Sequence, residues 1–466
     1  MPHNAPEPLI HPMSSGQLPA AWRPHAARSL PRYTSYPTAI AFQPVAGDEE
    51  VRTWLATLRR DQTVSAYVHI PFCRRLCWYC GCHTSVVHDY ERVGAFFGTL
   101  MREVDLWADA VGPHAGAAHL HFGGGSPNAL SPDHFRTLVR HMSERFALRP
   151  GAEVAVELDP GLLSDAFIDA AGEAGVTRAS LGVQTFDPAV QARVNRVQPL
   201  DQVAAATTRL RAAGVRAVNF DLMYGLPGQT PENVAATAEA AIQLRPDRVA
   251  VFGYAHVPWM KKHQVMIEAA ELADSDGRWA QAEAADSVLR DGGYLRIGLD
   301  HYALPGDPLA RAAASGTLRR NFQGYTDDPA PVLIPVGPSS IGRLAAGFIQ
   351  NAAATDVWGR AVEAGQLPVG RSLPVSGEDE LRACVIERLM CDLTVDVGSE
   401  CRMRGFETTA LDAALAAASR LEADGLCRVE GRSVTIPAEA FRLMRVVAAC
   451  FDAGLSAVES RHARAV

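Results

Sequence analysis

The sequence predicts an α/β fold: an incomplete barrel of the (β/α)6 type, preceded by an N-terminal arm and followed by a mostly helical C-terminal domain. Six short apolar runs follow one another, AYVHI (66–70), AHLHF (118–122), VAVEL (154–158), ASLGV (179–183), AVNFDLM (217–223) and RVAVFGY (248–254). The stretches between them, such as 203–213 and 234–244, are rich in Ala and Leu at helical spacing. Strands that alternate with helices pair in parallel through right-handed crossovers. Six such units fall short of the eight that close a barrel, so one side should stay open, with ligands at the carboxyl ends of the strands.

The remaining elements divide the chain into an arm (1–60), the barrel with an extension (61–375) and a tail (376–466). Residues 1–28 are rich in Pro, Ala and His without a steady period, which predicts a mobile arm. The stretch 255–375 is mixed, with Pro- and Gly-rich turns at 305–308 and 329–338, and is expected to extend the sheet and cover the open side. After the LPVSG linker (373–377) the tail reads as helices over 378–392 and 408–424, a hairpin at CRVEGRSVTI (427–436) and a final helix. That order resembles a winged helix. Without a strong basic run, it suits a lid or docking role better than DNA binding.

Composition bounds the function. With 466 residues, 48% of them hydrophobic, the chain can bury a large core. A net charge of -8 and a pI near 6 argue against general nucleic-acid binding, and an anionic substrate would need a local basic pocket. No apolar run approaches the ~18 residues of a membrane helix, and MPHNAPEPLIHPMSSG lacks the apolar centre of a signal peptide, so a cytoplasmic protein without membrane insertion is expected. Nine cysteines cannot all pair, which points to reduced thiols. Cys384, Cys391, Cys401, Cys427 and Cys450 lie mostly in apolar surroundings and read as core residues.

The other four fall in AYVHIPFCRRLCWYCGCHT (66–84), immediately after the first predicted strand. Cys73, Cys77 and Cys80 form C-x3-C-x2-C, and Cys82 follows two residues on. A 4Fe-4S cube is usually held by four thiolates, so three on one loop leave one iron open for a ligand. A zinc site built from Cys77, Cys80, Cys82 and His83 or His88 is the competing arrangement, but the second ligand pair that zinc modules place at a distance is missing. The second strand runs into HFGGGSPNAL, where Gly124, Gly125 and Ser126 could bring backbone close to a ligand or simply form a tight turn. In VAVELDP the period of two turns Glu157 inward, where it needs a cation, either a ligand ammonium or a barrel Arg or Lys. The same alternation presents Gln184 at the end of ASLGVQ and Asn219, Asp221 and Met223 on one face of AVNFDLM. Arg196 is the nearest partner for a ligand carboxylate.

With an aromatic residue before its last cysteine, the C-x3-C-x2-C loop resembles the signature of radical S-adenosylmethionine (SAM) enzymes. The resemblance extends over PRYTSYPTA (31–39), YVHIPFC (67–73), the Cys80-Gly81-Cys82 step, LGVQTFDPAVQARVNR (181–196), NFDLMYGLPGQT (219–230), GYAHVP (253–258), GLDHYA (298–303) and RNFQGYT (320–326). Together these are similar to the oxygen-independent coproporphyrinogen III oxidase family. The resemblance implies one 4Fe-4S cluster on Cys73, Cys77 and Cys80, with the methionyl group of SAM chelating the fourth iron. It implies two SAM molecules, the first held by Tyr67, Gly124, Glu157 and Ile341, the second near Tyr79, Gly125, Ser126, Gln184, Arg196, Asp221 and Ala255. Tyr67 and His69 would be the catalytic residues. Ser126 replaces the usual Thr and keeps the hydroxyl, and Tyr79 stands where Phe is common.

The implied reaction converts two propionates of coproporphyrinogen III to vinyl groups, with an unidentified electron donor and acceptor, in a monomeric enzyme of haem biosynthesis. The related haem chaperone would lack PRYTSYPTA, RNFQGYT and commonly the fourth cysteine. Arg32, Arg75, Lys261, Lys262, Arg319 and Arg320 are the candidates for substrate carboxylates. The arm is expected to cover the site, with Tyr33 and Tyr36 offering aromatic faces.

Overall fold

The structure is a computed structural model, and residues 17–45, 47–455 and 465 are described. Strands β1 (Val64–Ile70), β2 (Ala117–Gly124), β3 (Glu153–Leu158), β4 (Arg178–Gln184), β5 (Ala217–Tyr224) and β6 (Arg248–Gly253) pair in chain order, all parallel. Each lies within two residues of its expected run. Along these strands the period of two separates two environments. Val64, Ala66, Val68 and Ile70 of β1, like Val154, Val156 and Leu158 of β3, pack outward into the core formed with the helices. Ser65, His119, His121, Glu153, Glu157, Arg178, Ser180, Asn219, Asp221 and Arg248 line an interior cavity instead. The barrel is therefore apolar outside and polar within.

The sheet extends past these six strands at both edges. A seventh parallel strand, β7 (Val332–Val336), pairs with β1, and antiparallel strands then continue that edge through Ile341–Leu344, Gly347–Asn351, Val369–Pro374 and Gln43–Pro44. At the other edge His301–Ala303 and Leu295–Ile297 add on antiparallel. The result is an open sheet of 13 strands among the described residues. This corrects the reading of 329–338 as turn. Pro335 lies inside β7, where proline is normally excluded, because Gly342 of the neighbouring strand leaves room for its ring: a Cβ there would come 2.5 Å from the proline Cδ.

The tail contains the helix Gly377–Asp392 and a three-stranded sheet of Thr394–Asp396, Ser433–Thr435 and Arg428–Glu430, in that order. The strand Thr394–Asp396 and the helix Val397–Met403 were not anticipated, and the helix expected over 408–424 is confined to Asp412–Ser419. The expected final helix is broken into a 3-10 turn Ala438–Leu443, an α-turn Met444–Ala448 and a 3-10 turn Ala449–Phe451.

The larger correction concerns the arm. Residues 1–16 lie outside the described residues, but 17–28 are built into the molecule. Leu18, Trp22, Ala26, Leu30, Tyr33 and Tyr36 share one hydrophobic core with tail residues such as Leu381, Leu389, Met444 and Phe451. The Trp22 indole lies edge-on to Trp279 at 5.7 Å and donates to the Asp424 carbonyl at 2.7 Å. Tyr33 donates to Asp452 at 3.0 Å, and the Tyr36 hydroxyl accepts from the Ala453 N–H. Cys391, Cys401 and Cys427 are buried and Cys384 and Cys450 half-buried, all with free thiols. Among the described residues no helix is long and apolar enough to cross a membrane.

Candidate active site at the carboxyl ends of the parallel strands

Just past β1, the short strand Phe72–Cys73 pairs with Ser85–Val86, and this clamp holds the thiol loop between them. Cys73, Cys77 and Cys80 line one cavity with Tyr79, Cys82, Gly124, Gly125, Ser126, Glu157, Gln184, Arg196 and Asp221. The thiols are hydrogen-bonded, Cys73 by the Thr84 hydroxyl at 3.1 Å, Cys77 by Arg196 at 3.4 Å and Cys80 by the Cys82 N–H at 3.4 Å and the Cys82 thiol. The Cys82 hydrogen bonds hold the Cys80 thiol down to about 6 against its burial, with help from His263 and Lys261. Burial pushes Cys73 up to about 11. Among the described residues no three His, Cys, Asp or Glu side chains gather as closely as a single metal ion requires. A four-iron cube spaces its thiolates more widely.

The glycines of the second strand serve the chain's own packing. Gly124 has φ +109, and a Cβ there would come 2.6 Å from the His69 ring; one on Gly125 would come 2.5 Å from the Phe72 carbonyl. Ser126 turns its hydroxyl to Asn128 and accepts the Asp159 N–H at 3.1 Å.

Glu157 takes neither Arg nor Lys as its partner. His121 meets its Oε1 at 2.8 Å, and the Gly124 N–H donates to Oε2 at 3.3 Å. Burial would raise this carboxyl, but the His121 bond and the Gly124 N–H outweigh it and hold it below its ordinary range. Asp221 behaves oppositely. Burial raises it although Ser180 and Asn219 donate to it at 2.8 and 2.9 Å. Gln184 stands at φ +67, where the β4–β5 register slips, which turns its side chain into the cavity.

Arg196 lines the cavity and is also tied to the chain around it. Its guanidinium donates to the Gly182 carbonyl at 2.7 Å, to Asp159 at 3.3 Å and to the Cys77 sulfur, so its donors brace the thiol loop. Asp159, which the strand period places on the same inward face as Glu157, also meets Arg75 at 3.7 Å.

Tyr67 and His69 lie one layer below that lining. His69 Nε2 lies 2.8 Å from the His83 carbonyl, so this nitrogen carries the proton and Nδ1 accepts from the Tyr67 hydroxyl at 3.2 Å. Burial lowers His69 to about 4, so the ring is neutral, and burial with Glu157 nearby raises the Tyr67 phenol. The Tyr67 ring contacts His121 at 5.6 Å, the residue bound to Glu157.

Ala255 and Ile341 are not part of the cavity lining. Ala255 is tied to Tyr79 because Gln264 donates to both carbonyls, at 3.3 and 3.0 Å. Ile341 is half-buried and opens the strand Ile341–Leu344, next to the Gly337 turn that packs on the His69 backbone. Lys261 and His263 reach the carbonyls of Cys82 and Cys80 at 3.0 and 2.8 Å, so Lys261 braces the thiol loop. Arg32, Arg75 and Arg320 also donate to backbone carbonyls, of Gly253, Val197 and Tyr33 respectively.

A three-thiol loop at the carboxyl end of the first strand of an open, parallel α/β barrel defines a radical SAM protein. The Radical SAM superfamily model matches residues 67–241. Oxygen-independent coproporphyrinogen III oxidase of Bradyrhizobium diazoefficiens is 44% identical over 94% of this chain and 97% of its own length. The enzyme of the same name from Paracoccus denitrificans is 40% identical over 94% and 96%. The structure of coproporphyrinogen III oxidase (HemN) from Escherichia coli, a radical SAM enzyme, superposes with a TM-score of 0.86 at 32% identity, covering 91% of this chain and 97% of that one. The chain belongs to the oxygen-independent coproporphyrinogen III oxidase family. Membership of the radical SAM superfamily implies a 4Fe-4S cluster and SAM. The residues fit that pair: three hydrogen-bonded thiols, and two carboxylates, Glu157 and Asp221, facing the same cavity.

Proposed function

We propose that this chain carries out the anaerobic oxidative decarboxylation of coproporphyrinogen III to protoporphyrinogen IX in haem biosynthesis. One observation carries the reading. The thiols, the glycine step, Glu157 and Asp221 meet in a single cavity of a chain that aligns end to end with relatives of that name. Cys73, Cys77 and Cys80 would hold the cluster. When bound, the cluster and SAM would supply hydrogen-atom abstraction from a propionate carbon next to the ring, the chemistry by which a propionate can become a vinyl group with loss of carbon dioxide and of one electron to a separate acceptor.

The chain's own residues prepare that step. Glu157, kept ionised by His121, would bind the methionyl ammonium of a first SAM, with Tyr67, Gly124 and Ile341 around it. A second SAM would lie by Tyr79, Gly125, Ser126, Gln184, Arg196, Asp221 and Ala255, with Arg196 also holding Cys77 in place. Because the neutral His69 accepts its proton, the Tyr67 phenol is fixed in orientation beside Glu157, and this hydrogen-bonded pair is our candidate for moving or holding a proton during turnover. We take the chain to work as a cytoplasmic monomer with a separate electron donor and acceptor, divided into an arm (1–60), a catalytic barrel (61–375) and a tail (376–466).

The test is anaerobic turnover. Reduced, iron-loaded protein given SAM, coproporphyrinogen III and an electron acceptor should release carbon dioxide and form a divinyl product. Stoichiometric haem binding without that product would replace the oxidase reading with a haem-carrying one.

A further inference from the structure

Three cavities follow one another through the molecule. The thiol cavity shares Glu157, Ser180 and Asp221 with the polar barrel interior. The interior in turn shares Asn321, Thr326, Asp328 and Leu333 with a third, outer chamber. This chamber lies on the open side of the barrel, bounded by the arm residues Tyr33–Tyr36, the hairpin formed by Arg319–Asn321 and Gly324–Thr326, and the helix Gly377–Asp392. The three cavities therefore adjoin in series, from the seam between arm and tail to the thiols.

The outer chamber combines an aromatic wall with cations. Phe322 and Phe348 line it, backed by Phe42, and the three rings meet at 5.7 to 6.3 Å. Arg319, Arg320 and Arg343 line it too, and none of them forms an ion pair among the described residues. Arg320 donates from Nε and Nη2 to the Tyr33 and Arg32 carbonyls and keeps a buried Nη1 without a hydrogen-bond partner among the described residues, while Arg319 and Arg343, both exposed, face the chamber. Its acids are occupied or compensated. Asp328 accepts the Ala330 N–H and Glu387 the Arg320 N–H, Glu380 sits in the first turn of its helix at the positive end of the dipole, and the fourth arginine, Arg404, is paired with Glu400.

We infer that the tetrapyrrole lies across the interior and the outer chamber, its reacting edge toward Glu157 and its far edge against Phe322 and Phe348. Arg319 and Arg343 hold the two carboxylates that survive the reaction. This rests on the oxidase reading. An enzyme that removes two of four similar carboxylates must tell the edges apart. Arginines without an acidic partner at the far edge do so, because they bind the groups that are to be kept, while the interior arginines Arg178 and Arg248 are paired with Glu153 and Asp307.

The experiment compares wild type with Arg319→Ala, Arg343→Ala and the double variant as iron-loaded enzymes. Each substitution should raise KM for coproporphyrinogen III about tenfold, the loss of one charge-assisted hydrogen bond, with kcat within about twofold of wild type. Reductive SAM cleavage without substrate should be unchanged, and Arg343→Lys should recover part of the KM. An unchanged KM in the double variant, alongside divinyl product from wild type, overturns this inference and leaves the oxidase reading standing. Absence of product from wild type strikes the oxidase reading itself. A fall in SAM cleavage without substrate would place both arginines with the thiol site and equally overturn the inference.

Discussion

The thiol loop and the arm–tail core are held together in opposite ways. The loop is local: Cys73, Cys77 and Cys80 lie within eight positions, and the strand ends around it carry their polar residues at every second place. The arm–tail core joins Leu18–Tyr36 to Leu381–Phe451 across most of the chain, with no special chemistry. The chemistry of this protein is thus written in short stretches, while the shape that admits a substrate is assembled from the two ends of the chain.

The largest effect should come from breaking the local region. Cys77→Ala is expected to abolish the visible absorption of the cluster, most of the bound iron and all divinyl product, while thermal unfolding of the tail changes little. Iron retained in full by Cys77→Ala, with product still formed, would remove the thiol loop from the metal site.

Breaking the distant region should give the mirror image. Trp22→Ala deletes a buried indole that packs on Trp279 and donates to Asp424, a change that costs about 3–5 kcal/mol in ordinary cores. Denaturant unfolding should show that loss with iron content unchanged. Removing residues 1–38 would take six members of that core at once, so it is expected to unfold the tail as well as stop turnover. A truncated protein as stable as wild type would mean that the arm contributes a cover and nothing more.

This comparison also explains what could be read from the sequence. The six barrel strands were legible as short apolar runs spaced by helical stretches, and the period of two within VAVELDP and AVNFDLM set Glu157 and Asp221 on the inward face. The partners of those groups were not legible. His121 for Glu157, and Asp159 and Cys77 for Arg196, are set by strand register and loop path rather than spacing. β7 was hidden because Pro335 reads as turn until a neighbouring glycine makes room for it. In the arm, Leu18, Trp22, Ala26 and Leu30 recur every four residues, a helical face diluted by Pro and Ala until its partner core is known.

A smaller effect joins the two edges of β7. Glu103, buried in the helix Tyr90–Val111, receives N–H bonds from Gly337, Asn351, Trp358 and Trp107 at 2.7, 2.6, 2.9 and 3.3 Å, and it fixes the turn that packs on His69. Burial outweighs those donors and pushes its carboxyl up to about 8, from 4.5 in the unfolded chain. The folded state then holds one more proton between those values. This contribution is complete below pH 4.5 and is lost as pH rises through 8. Between pH 7 and 8, where His69 is mostly neutral folded or unfolded, stability should fall by up to about 1 kcal/mol. Glu103→Gln should flatten that slope in unfolding curves, and an equal slope in both proteins would assign the pH dependence to other groups.

The smallest effect separates Cys82 from its three neighbours and marks the limit of the local region. Cys82 lines the same cavity and lies two residues from Cys80, but what it gives Cys80 sulfur includes a bond from its backbone N–H, which alanine keeps. A fourth thiolate on the cluster would fill the iron that the methionyl group of SAM needs. Cys82→Ala is therefore expected to bind iron as wild type does and to keep the change in the cluster's electron paramagnetic spectrum on SAM addition. Losing the thiol's own hydrogen bond should let Cys80 drift up from about 6, so cluster loading at low pH should become slower while loading at pH 8 stays the same. Iron lost at every pH from Cys82→Ala, with SAM no longer altering the spectrum, would make Cys82 a ligand and require a different open position on the cluster.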